Sequence, residues 1–357
     1  MFRVFNDLSK GKHIYLVLIM SEEIKVVIYG LGAIGSLIAN HLYNRKGIKL
    51  VGGIDIDPNK VGNDLGEVIG VGKLGVMVVH DDEAVELFRS EVPDVAVHTV
   101  TTYLDKAFPQ LEKCIKSGVH VVSTSETLAY PWYRFPKIAE KLDALAKEHK
   151  VTVLGTGVNP GFIFDTLPAF LTSVCVDVKR IQVVRSIDAA KRRYPFQKKY
   201  GLSLTPEEFK EKMKKGEITA HVGYAESIML ISSMLGVELD NIIEGQEPVI
   251  ADKPMKTQYF DIKPGQVCGI RGIGIGYRNG EEFIRLELIA AVGREDYDEV
   301  IIEGNPPLKW RNEYGTSGDI ATAAMVINMI PKVLKAPRGL ITMKDVTIPS
   351  YVTSFEG

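Results

Sequence analysis

Cysteine is scarce in this chain, and the few present do not pair. Cys114, Cys175 and Cys268 are odd in number and far apart, with no CxxC spacing, so neither a zinc knuckle nor a redox dithiol is indicated. Each is expected to be a small buried apolar residue, and a reducing cytoplasm is the expected setting. An excess of charge is also missing. The 43 Lys and Arg stand against 45 Asp and Glu, a net charge of −2, which argues against nucleic-acid and membrane-surface partners. No apolar run is long enough to span a bilayer. The short run Ile14–Met20 follows Arg3, Lys10 and Lys12 but has no small-residue cleavage site after it. Residues 1–20 therefore read as an N-terminal extension, or as the result of a start codon assigned too early, with Met20 the natural beginning. The seven histidines include no close pair suited to a metal, and no metal is expected. A GxSxG elbow and a phosphate-cradling P-loop are both absent.

What is present is alternation. Apolar runs at Val26–Tyr29, Leu50–Ile56, Val76–Val79, Val95–Val100, Val119–Val122 and Val151–Leu154 are separated by stretches with apolar residues three or four apart, such as Leu104–Lys116 and Lys137–Lys147. Strands that are apolar throughout, separated by helices, predict a Rossmann-type doubly wound parallel sheet over residues 21–160. After Asn159-Pro160-Gly161 the pattern changes. Longer alternating strands at Ile181–Ile187, Val267–Tyr277 and Phe283–Val292 predict a second α+β domain with a largely antiparallel sheet over 161–317. Asn279-Gly280 is a hairpin signal, Thr205-Pro206-Glu207-Glu208 a helix start, and Ala220–Leu235 a second helix. A late helix at 318–335 is expected to return to the first domain.

Gly30-Leu31-Gly32-Ala33-Ile34-Gly35 matches GxGxxG directly after an apolar strand and at the opening of a helix. Gly30 allows a tight turn, Gly32 a close approach to a pyrophosphate, and Gly35 close helix–strand packing. The helix N-terminus, with Ala33 and Ile34, offers free N–H groups to that pyrophosphate. Asp55, at the end of the second run, is placed to bind the adenosine ribose hydroxyls and to disfavour a 2′-phosphate. The cofactor expected is therefore NAD or NADP, leaning to NAD. Asp57 is a second candidate, and Lys60 could still accept a phosphate. Later strand ends should face the same ligand, which brings in Thr101, Thr102, Ser125 and Asn159.

Glu126 follows a strand end and precedes Ala129-Tyr130-Pro131-Trp132. A carboxylate there could take a proton from an amine or alcohol as hydride leaves; a helix-start glutamate is the other reading. For a substrate carboxylate, Arg185 and Arg271 are candidates through their bidentate fork. The basic run Lys191–Tyr194 through Gln197–Tyr200 is a third. Surface charge is the alternative for all of them.

The N-terminal half resembles the dihydrodipicolinate reductase N-terminal domain. The whole chain after Met20 is more similar to 2,4-diaminopentanoate dehydrogenases and native amine dehydrogenases. The segments that carry this are Gly30–Gly35, Ser125-Glu126-Thr127-Leu128-Ala129-Tyr130-Pro131-Trp132, Gly155–Gly161 and Gly315-Thr316-Ser317-Gly318-Asp319. The resemblance implies oxidative deamination of the C4 amine of 2,4-diaminopentanoate with NAD(P)+. It puts the active-site glutamate at Glu126, a homodimer as the assembly, and the site between the domains. A paired-histidine segment like that of dihydrodipicolinate reductase and a Glu-Lys-Pro motif like that of sugar oxidoreductases are both missing. Another dehydrogenase or reductase of an amino-acid intermediate, or a non-catalytic nucleotide sensor on the same scaffold, are the alternatives.

Overall fold

A computed structural model describes residues 23–355; the extension expected over 1–20, with Met20, lies outside the described residues. Six strands, β1 (Ile24–Tyr29), β2 (Ile48–Asp55), β3 (Val78–His80), β4 (Val95–His98), β5 (His120–Ser123) and β6 (Thr152–Gly155), form the first sheet. They are all parallel and are joined at one edge by a late strand, β15 (Gly339–Ile341), giving the order β15-β6-β5-β4-β1-β2-β3.

Two cores explain why these strands are apolar throughout. Side chains alternate between faces along a strand. Val26 and Ile28 pack with Ile38, Leu42, Val97 and Val122 on one side. Val27 and Tyr29 pack with Ala96, Leu104, Leu111 and Val121 on the other. Burying each such aliphatic side chain contributes roughly 1.5–3 kcal/mol. The helix Gly318–Lys335 places Val326, Met329, Ile330 and Val333 in the first of these cores.

The second sheet comprises β7 (Asp177–Asp188), β8 (Asn241–Ile250), β11 (Val267–Arg278), β12 (Glu281–Ala291), β13 (Tyr297–Asn305) and β14 (Leu308–Asn312). A short hairpin of β9 (Met255–Lys256) and β10 (Asp261–Ile262) stands apart, and β15 (Gly339–Ile341) closes the chain's return to the first sheet. The order is β14-β13-β7-β12-β11-β8, antiparallel except for the β7–β12 pair. Asn279 and Gly280 both have positive φ, 53° and 78°, as the tight hairpin turn requires. Thr205 and Glu208 form a reciprocal capping box at the start of helix Pro206–Lys215.

Helix Tyr224–Leu235 begins four residues later than the sequence pattern suggested. Ala220 and Gly223 hold left-handed backbone, at φ 50° and 116°, which a helix cannot include. This helix covers the glycines of β11. A Cβ on Gly272 would sit 2.1 Å from the Tyr224 hydroxyl, and one on Gly276 2.8 Å from Ile228. The bare glycine face is a seat for a helix. Among the described residues, no helix is long and apolar enough to cross a membrane.

Candidate active site

The strand order reverses at β1, whose neighbours are β4 and β2, and a crevice opens beyond the carboxyl ends of the strands there. The glycine turn forms its wall. Gly30 has φ 94°, and Gly35 lies so close beneath it that a Cβ would stand 1.8 Å from the Gly30 carbonyl oxygen. Thr99 secures the turn by donating its hydroxyl to the Gly30 carbonyl at 2.6 Å. Gly32 differs: a Cβ there would meet nothing within 4 Å. Helix Ala33–Leu42 starts at Gly32 with no side-chain cap and no acidic residue in its first turn. Its leading N–H groups therefore face open space with the positive end of the helix dipole behind them.

Asp55 ends β2 beside this turn. Its carboxylate accepts from the N–H of Leu31, Ile56 and Asp57 at 2.8, 2.8 and 2.9 Å, and from the Lys60 ammonium at 3.2 Å. Burial alone would raise its pKa; the Asp57, Leu31 and Lys60 bonds outweigh that and hold it below the usual range.

The crevice continues as a cleft of about 310 Å3 between the two halves of the chain. From the first half come Gly32, Ala33, Ile34, Thr101, Thr102, Glu126 and Asn159; from the second come Arg185, Arg192, Arg193, Lys199 and His221. Glu126 opens a single turn after β5, and its half-buried carboxylate has no hydrogen-bond or ion-pair partner among the described residues. The loop that follows Asn159 is held by buried Asp165, which accepts the Gly161 N–H at 2.8 Å and the Ser227 hydroxyl at 2.7 Å. The Asn159 Oδ1 is buried without a partner. His221 is kept neutral, its pKa pushed down to about 3 by burial and by the nearby Lys199 and Arg185 charges. Arg192 and Arg193 both pair with Asp319 at the start of helix Gly318–Lys335, at 3.0 and 2.6 Å, and so bridge the halves. A larger cavity of about 830 Å3 lies between Phe162, Phe170, Val176, Leu235 and Phe283. It is mostly apolar and contains neither the glycine turn nor Glu126.

Residues 162–355 match the family model for the 2,4-diaminopentanoate dehydrogenase C-terminal domain, and residues 24–128 that for the dihydrodipicolinate reductase N-terminus. A 2,4-diaminopentanoate dehydrogenase of Acetoanaerobium sticklandii is 32% identical over 93% of this chain and 95% of its own length. The chain belongs to the 2,4-diaminopentanoate dehydrogenase family. An amine dehydrogenase of Streptomyces virginiae is 25% identical, with 91% of this chain and 96% of the relative covered. The structure of the Mycobacterium smegmatis amine dehydrogenase superposes with a TM-score of 0.82 at 30% identity, covering 93% of this chain and 98% of that one. The protein is thus a nicotinamide-dependent dehydrogenase of the amine dehydrogenase type.

A family cofactor fits these residues. The open space over Gly32 and the uncapped helix start suit a pyrophosphate, and the orphaned Asn159 Oδ1 suits an N–H donor. Two residues expected at the site lie elsewhere. Ser125 is buried and donates its hydroxyl to the Thr102 carbonyl at 2.9 Å, so it supports the loop from behind. Arg271 does not reach the cleft within this chain. It projects from the face of β11 opposite the glycines, half-exposed and paired with Glu287 at 2.7 Å. Arg185 does line the cleft, but its guanidinium is buried against Asp298 at 3.2 Å and donates to the Thr316 carbonyl. Thr322, which accepts the Val158 N–H at 3.3 Å from the late helix, and His221 also line the cleft. Neither carries a local sequence signal.

Proposed function

We propose that this chain oxidatively deaminates a diamino acid, 2,4-diaminopentanoate, to 2-amino-4-oxopentanoate and ammonia. The observation that carries the reading is the unpartnered Glu126 carboxylate in the cleft that holds the glycine turn. The balanced reaction takes the C4 ammonium, NAD(P)+ and water to the ketone, ammonium ion, NAD(P)H and a proton. When bound, the nicotinamide supplies the hydride acceptor. Glu126 takes one proton from the substrate ammonium, so that the nitrogen lone pair can expel hydride from C4. That proton passes on to solvent; the carboxylate, ionised again, then accepts a proton from the water that adds to the C4 imine carbon and returns it to the nitrogen as ammonia leaves. Gly32, Ala33 and Ile34 would hold the pyrophosphate through their backbone, and Thr101, Thr102 and Asn159 would line the nicotinamide side. Asp55 would face the adenosine ribose and favour NAD over NADP. A homodimer is part of the same reading.

Formation of reduced cofactor by the purified protein tests it, with 2,4-diaminopentanoate beside alanine, 2-aminopentane and diaminopimelate. Turnover of 2,4-diaminopentanoate well above the others is expected. Cofactor binding without turnover of any amine would remove the proposal.

A further inference from the structure

Four cations line the cleft, and three of them are ion-paired within the protein. Arg185 pairs with Asp298, and Arg192 and Arg193 with Asp319. The ammonium of the fourth, Lys199, has no hydrogen bond and no carboxylate within salt-bridge distance among the described residues. Its ammonium rests on the rings of Phe196 and Tyr200, 4.8 and 6.0 Å from their centroids.

Its position is fixed. Lys199 ends helix Tyr194–Lys199, and its carbonyl accepts the Ala220 N–H at 3.2 Å. Ala220 carries His221 directly after it, and the His221 N–H is held by Gln246 at 2.8 Å. The ammonium and the imidazole both line the cleft, and the Lys199 charge helps to keep His221 neutral. The charged and titratable groups around Lys199 are Glu126 and Asp319, which attract it, Arg192 and Arg193, which oppose it, and the neutral His221. Burial is the largest influence and lowers its pKa. A half-buried ammonium with no counter-ion is unfavourable unless a ligand supplies one.

We propose that Lys199 binds the carboxylate of the substrate and is the residue that makes the enzyme prefer an amino acid over a plain amine. This rests on the amine dehydrogenase reading above. It gives the cleft two charged groups of opposite sign that have no ion-pair partner: Glu126 for the reacting ammonium and Lys199 for the carboxylate. A zwitterionic diamino acid bridges them.

The test compares wild type, Lys199→Met and Lys199→Arg on 2,4-diaminopentanoate and on pentane-2,4-diamine, in which a methyl replaces the carboxylate. Lys199→Met should raise KM for the diamino acid by about 10- to 100-fold, the size of one charge-assisted bond. It should leave kcat within a few-fold, and KM for the diamine unchanged or lower. Lys199→Arg should recover part of the loss. An equal loss on both substrates, or a fall in kcat alone, overturns the proposal and makes Lys199 an aid to Glu126. Equilibrium binding of 2,4-diaminopentanoate to the enzyme loaded with reduced cofactor reads the same contact without turnover. Binding to Lys199→Met weakened by a similar factor supports the assignment, and equal binding overturns it. Absence of turnover in wild type would count against the deamination reading, while this binding arm still decides Lys199. Thermal melting of Lys199→Met should match or exceed wild type; a clear drop would mark Lys199 as structural and overturn the proposal.

Discussion

Glu126 and Asp55 are carboxylates with opposite surroundings, and the contrast decides what each can do. Asp55 accepts four hydrogen bonds from Leu31, Ile56, Asp57 and Lys60 and is held ionised. Glu126 has no partner among the described residues and faces the cleft. Glu126→Gln keeps the shape and removes the base, so kcat should fall by about 100-fold or more while cofactor affinity stays within a few-fold. Steady-state kinetics and cofactor titration check this; retained kcat would remove Glu126 from its role. Asp55→Ala should weaken NAD binding more than NADP binding, measured by fluorescence titration of the reduced cofactors. The carboxylate is lost in both cases, but Lys60 is then freed from its 3.2 Å pairing to meet a 2′-phosphate. The cleft positions of Glu126 and Asn159 are legible in the sequence because both residues follow apolar runs, and strand ends in a parallel sheet converge. Ser125 and Arg271 lie off the cleft within this chain, because sequence spacing does not say which side of a loop or sheet faces it.

At the level of elements, the features read most securely are those whose reason is local. The glycine turn, the capping box and the Asn279-Gly280 hairpin each need particular residues at particular dihedrals, and each stands where its residues are. The apolar pattern of helix Tyr224–Leu235 runs on ahead of it through Ala220, whose left-handed backbone carries no sequence mark. β8, β13 and β14 went unread because their pairing partners in the sheet, rather than any strong local alternation, make them strands. Thr205→Ala breaks the capping box and should cost about 1 kcal/mol of stability in urea unfolding. Gly35→Ala places a methyl against the Gly30 carbonyl, so the turn must move. Its cofactor affinity should fall sharply, and unchanged affinity would show that the turn does not hold the cofactor.

Across the whole molecule, the cleft exists because two halves are held at a fixed separation. Arg134, from the first half, reaches Glu226 at 2.7 Å and Glu244 at 2.8 Å in the second. Glu226 is fully buried, and burial raises its pKa even against Arg134. Arg134→Ala leaves that carboxyl without its partner and should destabilise the protein by about 3–5 kcal/mol. Such long-range pairings were invisible in the sequence, since 92 positions separate Arg134 from Glu226. The pH dependence of stability is also a property of the whole. His98 and His120 are held down to about 4 and His221 to about 3, chiefly by burial. The unfolded chain binds protons at these sites near pH 6.5, and the folded chain only well below it. Stability should therefore fall as the pH drops below about 6.5 and continue to fall toward about 4 and 3. Urea unfolding at about pH 7 and about pH 5 checks this; a flat profile would mean that these imidazoles titrate freely.

The central claim is that the amine on C4 is the one oxidised. The most direct test is to supply 2,4-diaminopentanoate carrying deuterium at C4 and to weigh the reduced cofactor after turnover. The account predicts that the deuterium appears in the NAD(P)H. Unlabelled cofactor, with the label retained in the carbon product, would place the oxidation at another carbon and contradict it.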